Sequence, residues 1–141
     1  MEELKCECSA IVTHSLIVCE EKRSKITFEN KTKKEINKVQ VDGCQITDQN
    51  NHKCDYLLVD NELSIEYFIE LKGHDINHAL RQIEATIPRL SQSAQQQTKY
   101  CFIISFRTPM ASTEIQIKQR EFKRKYNATL IIKSSPYNHL L

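Results

Sequence analysis

Apolar residues recur at every second position in some stretches of this chain and at every third or fourth in others, and the change of period divides it. "SKITFEN" alternates Ile26 and Phe28 with polar neighbours, which predicts a half-buried strand. "INKVQVDGCQI" carries Ile36, Val39, Val41 and Ile46, which predicts a strand through Val39 and Val41 and then a bend at Asp42-Gly43. The polar run "TDQNNHK" reads as a turn. "CDYLLVD" and "LSIEYFIELK" read as two further strands joined at "DN", so an antiparallel meander is expected, closed by Gly73.

Beyond Gly73 the period lengthens. Ile76, Ala79, Leu80, Ile83 and Ile87 form a helical stripe, with Asp75 as the expected N-cap and Pro88 as the residue that kinks or ends the helix. "SQSAQQQ" continues as a helical tail or a loop, and "KYCFIISF" predicts a buried strand. "STEIQIKQREFKRKY" predicts a second helix capped by Ser112 or Thr113, and "ATLIIKS" a last strand. Residues 9–21, "SAIVTHSLIVCEE", are too continuously apolar to assign to helix or strand. The expected architecture is an α/β (α+β) domain, a central mixed β-sheet flanked by helices. One domain is expected over residues 1–141, with its core at about 36–133 and a less defined part at 1–35.

With 40% hydrophobic and 27% charged residues the chain reads as a soluble globular protein. No apolar run approaches the roughly 20 residues that span a bilayer. The start, "MEELKCECSA", lacks the basic and apolar regions of a signal peptide, so a cytoplasmic location is expected. The six cysteines are then expected as reduced thiols. Zinc is disfavoured, because Cys6 and Cys8 stand one residue apart, Cys44 and Cys54 are distant, and no C-x-x-C pair occurs. Cys101 reads as a small buried hydrophobe.

Net charge is only +2, yet its distribution is uneven. Residues 22–38 hold seven Lys/Arg against two Glu, and residues 118–125 hold five against one. Between them, residues 42–75 hold eight acids and two lysines. An acidic centre between basic segments is the layout expected when metal ions sit in the middle and phosphates are held from the sides. Lys31, Lys33, Lys34, Arg81, Lys123, Arg124 and Lys125 are the candidate nucleic-acid contacts.

The chemistry centres on "CDYLLVDNELSIEYFIELKGHD". Residues two apart on a strand share a face, so Glu70 and Lys72 project together while Leu71 enters the core. The turn near Asn61 folds Asp55 back level with them, at the hairpin end away from the turn. Two neighbouring carboxylates repel, and a divalent oxygen-seeking ion balances them better than one lysine. Such an ion, with a lysine beside it, hydrolyses phosphodiesters.

"CDYLL" followed by "FIELKG" resembles the PD-(D/E)XK nuclease superfamily, of restriction-endonuclease-like fold, and the agreement of element order runs from about Val39 to Ile132. The resemblance implies that Asp55 and Glu70 bind Mg²⁺ or Mn²⁺ and that Lys72 is catalytic. Cys54 stands where the motif's proline would be. Gln82 matches a glutamine that some members carry on the following helix, where it would touch the metal-bound water or a phosphate. An upstream acid is also expected, with Glu20, Glu21 and Glu35 as candidates and Asp42 as a further one. His74 and His78 read as phosphate-contacting or surface residues. The expected function is metal-dependent nuclease activity on nucleic acid, DNA first, in defence or repair. The alternative is a catalytically silent subunit of the same fold that binds nucleic acid or a larger protein partner. A homodimer is a further expectation, since the tail "SSPYNHLL" gives Tyr137, Leu140 and Leu141 no obvious internal role.

Overall fold

The computed structural model describes residues 1–71, 75–106 and 112–141. Its elements are β1 (Ser9–Val12), β2 (Leu16–Glu21), β3 (Ser24–Glu29), β4 (Ile36–Gln40), β5 (Tyr56–Asp60), β6 (Ile65–Leu71), α1 (Ile76–Leu90), β7 (Thr98–Ser105), α2 (Ser112–Tyr126), β8 (Ala128–Ser134) and β9 (Tyr137–Leu140). The expected meander is present as β4, β5 and β6, each antiparallel to the next. After α1 the chain returns as β7 parallel to β6, and after α2 as β8 parallel to β7. The result is a mixed six-stranded sheet in the order β1-β4-β5-β6-β7-β8.

Asp75 caps α1 as its sequence position suggests, its Oδ1 accepting from the His78 N–H at 2.9 Å. Pro88 falls in the last turn of α1, which ends at Leu90. Gly73, the expected end of β6, lies outside the described residues.

Alternating side chains split the packing into two cores. Leu57, Phe68, Ile83, Ile87, Phe122 and Leu130 meet on the face covered by α1 and α2. Ile26, Phe28, Tyr67, Ile69, Phe102 and Ile104 meet on the opposite face. The two helices flank the sheet as expected, and both lie on one face. The other is covered by a second sheet of three strands, in the order β2-β3-β9. Residues 9–21 are therefore strands, and their continuous apolar character has a physical reason: Ile17 and Cys19 point into the second core while Leu16 and Val18 face out.

A ninth strand follows the expected last one, and it revises the reading of the tail. β9 runs parallel to β3, pairing Tyr137 with Ile26 and Leu140 with Glu29. Tyr137 and Leu141 pack against the second core, so of the three tail residues only Leu140 is largely exposed. His139 lies with its ring centroid 4.9 Å from Phe102, 5.9 Å from Phe28 and 5.8 Å from Tyr100.

The expectation of six reduced thiols is also corrected. Cys8 and Cys44, 36 residues apart, form a disulfide that ties the N-terminal segment to the turn after β4. Cys6, Cys19, Cys54 and Cys101 are free thiols, and the last three are buried. Burial pushes the Cys19 thiol up to about 12 and the Cys101 thiol higher still, which leaves both inert at neutral pH.

Two outcomes follow. Thiol titration of the unfolded, unreduced chain should count four groups, and reduction should lower stability by about 2–4 kcal/mol in a denaturant titration. The second concerns His139, whose burial lowers its pKa from the ordinary 6.5. The folded state therefore resists a proton that the unfolded chain accepts. Stability should be flat above about pH 6.5, fall as pH drops toward the lowered folded value, and level off below it. His139→Phe should flatten that part of the denaturation-midpoint profile.

Candidate active site

Both β5 and β6 are apolar strands interrupted by acids, and the structure separates those acids by function. Glu66 accepts from Ser91 Oγ at 2.6 Å and from the Gln92 N–H at 2.8 Å, which secures the exit of α1. Asp60 pairs with Lys34, Nζ to Oδ2 2.9 Å. These are structural acids at the turn end of the β5–β6 hairpin.

Asp55 and Glu70 occupy the other end. Tyr56 is paired with Ile69 at the end of the register, and Asp55, just before it, lies at the hairpin end that Glu70 also occupies. Asp55 is held there by its N–H donating to Ile69 O at 3.0 Å. It is held again by the Leu71 N–H donating to Asp55 Oδ2 at 2.7 Å. Strand alternation fixes the face of Glu70: Phe68 belongs to the helix-side core and Ile69 and Leu71 to the other, so Glu70 projects on the helix side. Cys54 also belongs to the helix-side core, while the charge on Asp55 is felt by Cys19 in the other. Glu70 and Asp55 are both buried, at 0% and 2% exposure. Both charges register on Cys54, whose thiol is pushed well above its ordinary range by burial first and by the charge on Glu70 next, with Asp55 contributing less.

Lys72, the third residue of the motif, and His74 lie outside the described residues. Gln82 is described and sits differently from expectation. Its Oε1 accepts from the Lys53 N–H at 2.9 Å and from His52 Nδ1 at 2.9 Å. One turn later, Thr86 Oγ1 accepts from the Cys54 N–H at 2.8 Å. The oxygen of Gln82 is thus committed to the segment entering β5, where α1 fixes the approach to Asp55. A helix glutamine four residues short of a threonine gives no hint of that in sequence, because the partner is 29 residues away.

A cavity of about 530 Å³ opens beside Asp55. Asp55 lines it, with Leu71, Asp42 after β4, and Asp75 and His78 at the start of α1. The remaining wall is Glu21, Lys22, Arg23 and Ser24 from the β2–β3 hairpin, and Phe106 at the end of β7. Of the upstream acids considered, Glu21 and Asp42 reach this cavity; Glu20 and Glu35 do not line it. Asp42 also lies 3.9 Å from Lys53 Nζ.

The expected basic contacts fall elsewhere. Lys31, Lys33 and Lys34 lie in the β3–β4 connection and Lys123, Arg124 and Lys125 in the last turns of α2. These are at the opposite end of the sheet, about 20 Å from Asp55 at about 3.3 Å per strand residue. Lys34 is further committed to Asp60. Arg81, exposed on the second turn of α1, is nearer but does not line the cavity. The cations that do are Lys22 and Arg23. They belong to the first basic run, but only the packing of the small sheet on the large one carries them to the site end.

Gln82→Ala would leave the buried Lys53 N–H without its acceptor, and a buried unsatisfied amide costs about 1–3 kcal/mol. Chemical denaturation should show a loss of that size. Gln82→Glu, which keeps an acceptor at that position, should lose less.

No helix among the described residues is long and apolar enough to cross a membrane. No family model matches the chain, and no curated protein and no solved structure matches it either.

Proposed function

We propose that the chain is a metal-dependent nuclease that hydrolyses phosphodiester bonds of nucleic acid, DNA first, on the restriction-endonuclease-like plan its motif resembles. The observation that carries this reading is the carboxylate pair. Asp55 and Glu70 are buried at the same end of the β5–β6 hairpin, and Asp55 lines a cavity whose wall also carries Lys22 and Arg23. Buried carboxylates at one end of a hairpin favour a cation nearby.

The donor set decides which cation fits. Mg²⁺ and Mn²⁺ are held by one or two carboxylates and complete their shell with water and substrate phosphate. Among the described residues, no three or more His, Cys, Asp or Glu side chains gather as a closed cage of the kind structural zinc requires. Asp55 and Glu70 would hold the ion, which would supply an activated water and neutralise charge on the phosphate. Lys72, two residues beyond Glu70, would orient that water or stabilise the developing charge; this role rests on the resemblance. Gln82 and Thr86 act through the backbone, holding residues 52–54 so that Asp55 keeps its register. A cytoplasmic location belongs to the same proposal, and the Cys8–Cys44 disulfide pulls against it, because the cytosol reduces exposed disulfides.

The test is incubation with plasmid, linear and single-stranded DNA and with RNA, in Mg²⁺, Mn²⁺ or EDTA. Cleavage should need the metal. Asp55→Asn keeps an acceptor for the Leu71 N–H, so it should fold while losing cleavage. Glu70→Ala should weaken the metal itself, with part of the activity returning at higher concentration. Lys72→Ala should keep metal binding by calorimetry yet slow turnover about 10²–10⁴-fold. Wild-type rates in Lys72→Ala would exclude its proposed role. Nucleic-acid binding by the wild type with no cleavage in either metal would leave a binding module instead.

A further inference from the structure

The bridge between Cys8 and Cys44 stands two residues from the cavity wall. Cys44 belongs to the turn after β4, and Asp42 of that turn lines the cavity, as Asp55 does. The turn is closed on itself by the Ile46 N–H, which donates to Val41 O at 2.9 Å, and by the Gly43 N–H, which donates to Ile46 O at 3.1 Å. Its other side is tied to the site. The Val41 and Asp42 N–H groups both donate to Asp55 O, at 2.9 and 3.4 Å. The covalent bond therefore anchors the segment that holds the backbone of Asp55.

Polar contacts keep the two ends of the bridge together independently of the sulfurs. The Lys5 N–H donates to Gln45 Oε1 at 2.8 Å, and Gln45 Nε2 donates to Glu3 O at 3.0 Å. Reduction thus releases the turn from its anchor but leaves the two thiols within reach of each other, which a bridge that opens and closes requires. The cysteines are unequally covered. Cys8 is buried and Cys44 is half-buried, so an incoming thiolate meets the Cys44 sulfur first. In the cytoplasmic location proposed above, a bridge of this kind is transient and redox-sensing rather than a permanent tie.

We infer that Cys8 and Cys44 form a reversible thiol–disulfide exchange site, opened by a dithiol and re-formed by a disulfide of the glutathione class, whose closed state orders the turn that holds Asp55. On opening, a thiolate of the dithiol attacks the Cys44 sulfur, and the Cys8 thiolate leaves. The second thiolate of the dithiol then attacks the mixed disulfide and releases Cys44. Two electrons and two protons pass to the protein, and the dithiol departs as its own disulfide. Closing is the reverse, with glutathione disulfide reduced to two thiols. The effect on cleavage rests on the reading of Asp55 as a metal ligand; the effect on the turn does not.

The experiment treats the folded full chain with dithiothreitol and then with glutathione disulfide, and counts the bridge by alkylation and mass spectrometry at each stage. A Cys6→Ser chain is carried in parallel, so that Cys6 cannot pair with either released thiol. The bridge should open without denaturant and re-form in both chains. Hydrogen exchange at the Val41 and Asp42 amides should be faster in the reduced protein and return on reoxidation. Calorimetry should find Mn²⁺ binding roughly tenfold weaker in the reduced form, the scale of losing support behind a metal ligand. The Cys8→Ser/Cys44→Ser double variant should match the reduced protein in both measurements, and the reduced wild type decides the matter should that variant fold poorly. A bridge that opens only in denaturant overturns the inference, as does unchanged exchange at Val41 and Asp42; metal-dependent cleavage in those cases leaves the nuclease reading standing. Exchange and Mn²⁺ affinity that follow the bridge, with no cleavage in either state, uphold the inference and remove the nuclease reading.

Discussion

The backbone of one residue holds three strands in register. Asp55 accepts from the Val41 N–H at 2.9 Å, donates to Ile69 O at 3.0 Å, and takes the Leu71 N–H on its carboxylate at 2.7 Å. A one-residue slip of β5 would turn Leu57 out of the helix-side core. The apolar packing that specifies the register therefore also keeps Asp55 at the hairpin end where Glu70 lies.

The segment before Asp55 is irregular, and irregular backbone must find hydrogen bonds outside the ladder. α1 supplies them through Gln82 and Thr86. Lys53 contributes from the other side, its Nζ donating to Asp48 O at 2.6 Å and Asn51 O at 3.1 Å. At the far end of the sheet Lys99 plays a comparable part, bonding Ser93 O, Gln97 O and Tyr126 O at 2.6–2.9 Å. Burial lowers its pKa, opposed in part by the charge on Glu66. Two lysines in the chain are thus anchors for loop carbonyls, which a charge tally reads as surface.

What the sequence made legible is what depends on neighbours in sequence. The β5–β6 hairpin, the cap at Asp75 and the stripe of α1 each arise within a few residues, and they were enough to bring Asp55 and Glu70 to one end of the hairpin. The second sheet was not legible, because β3 pairs with a strand more than a hundred residues later. Nor was the Cys8–Cys44 bond, which depends on where the turn after β4 meets the N-terminal segment. Lys22 and Arg23 were visible as charge but not as part of the site. Their position comes from how one sheet lies on another, and no local period encodes that. The same gap left open at which end of the sheet Lys31, Lys33 and Lys34 would lie, since a basic run looks alike at either end.

The separation of the two basic regions has an electrostatic consequence. At physiological ionic strength a charge is screened over about 8 Å, and the strands put about 20 Å between the lysines of the β3–β4 connection and the carboxylates. Neither end shifts the potential felt at the other. In electrostatic terms the molecule has two separate poles.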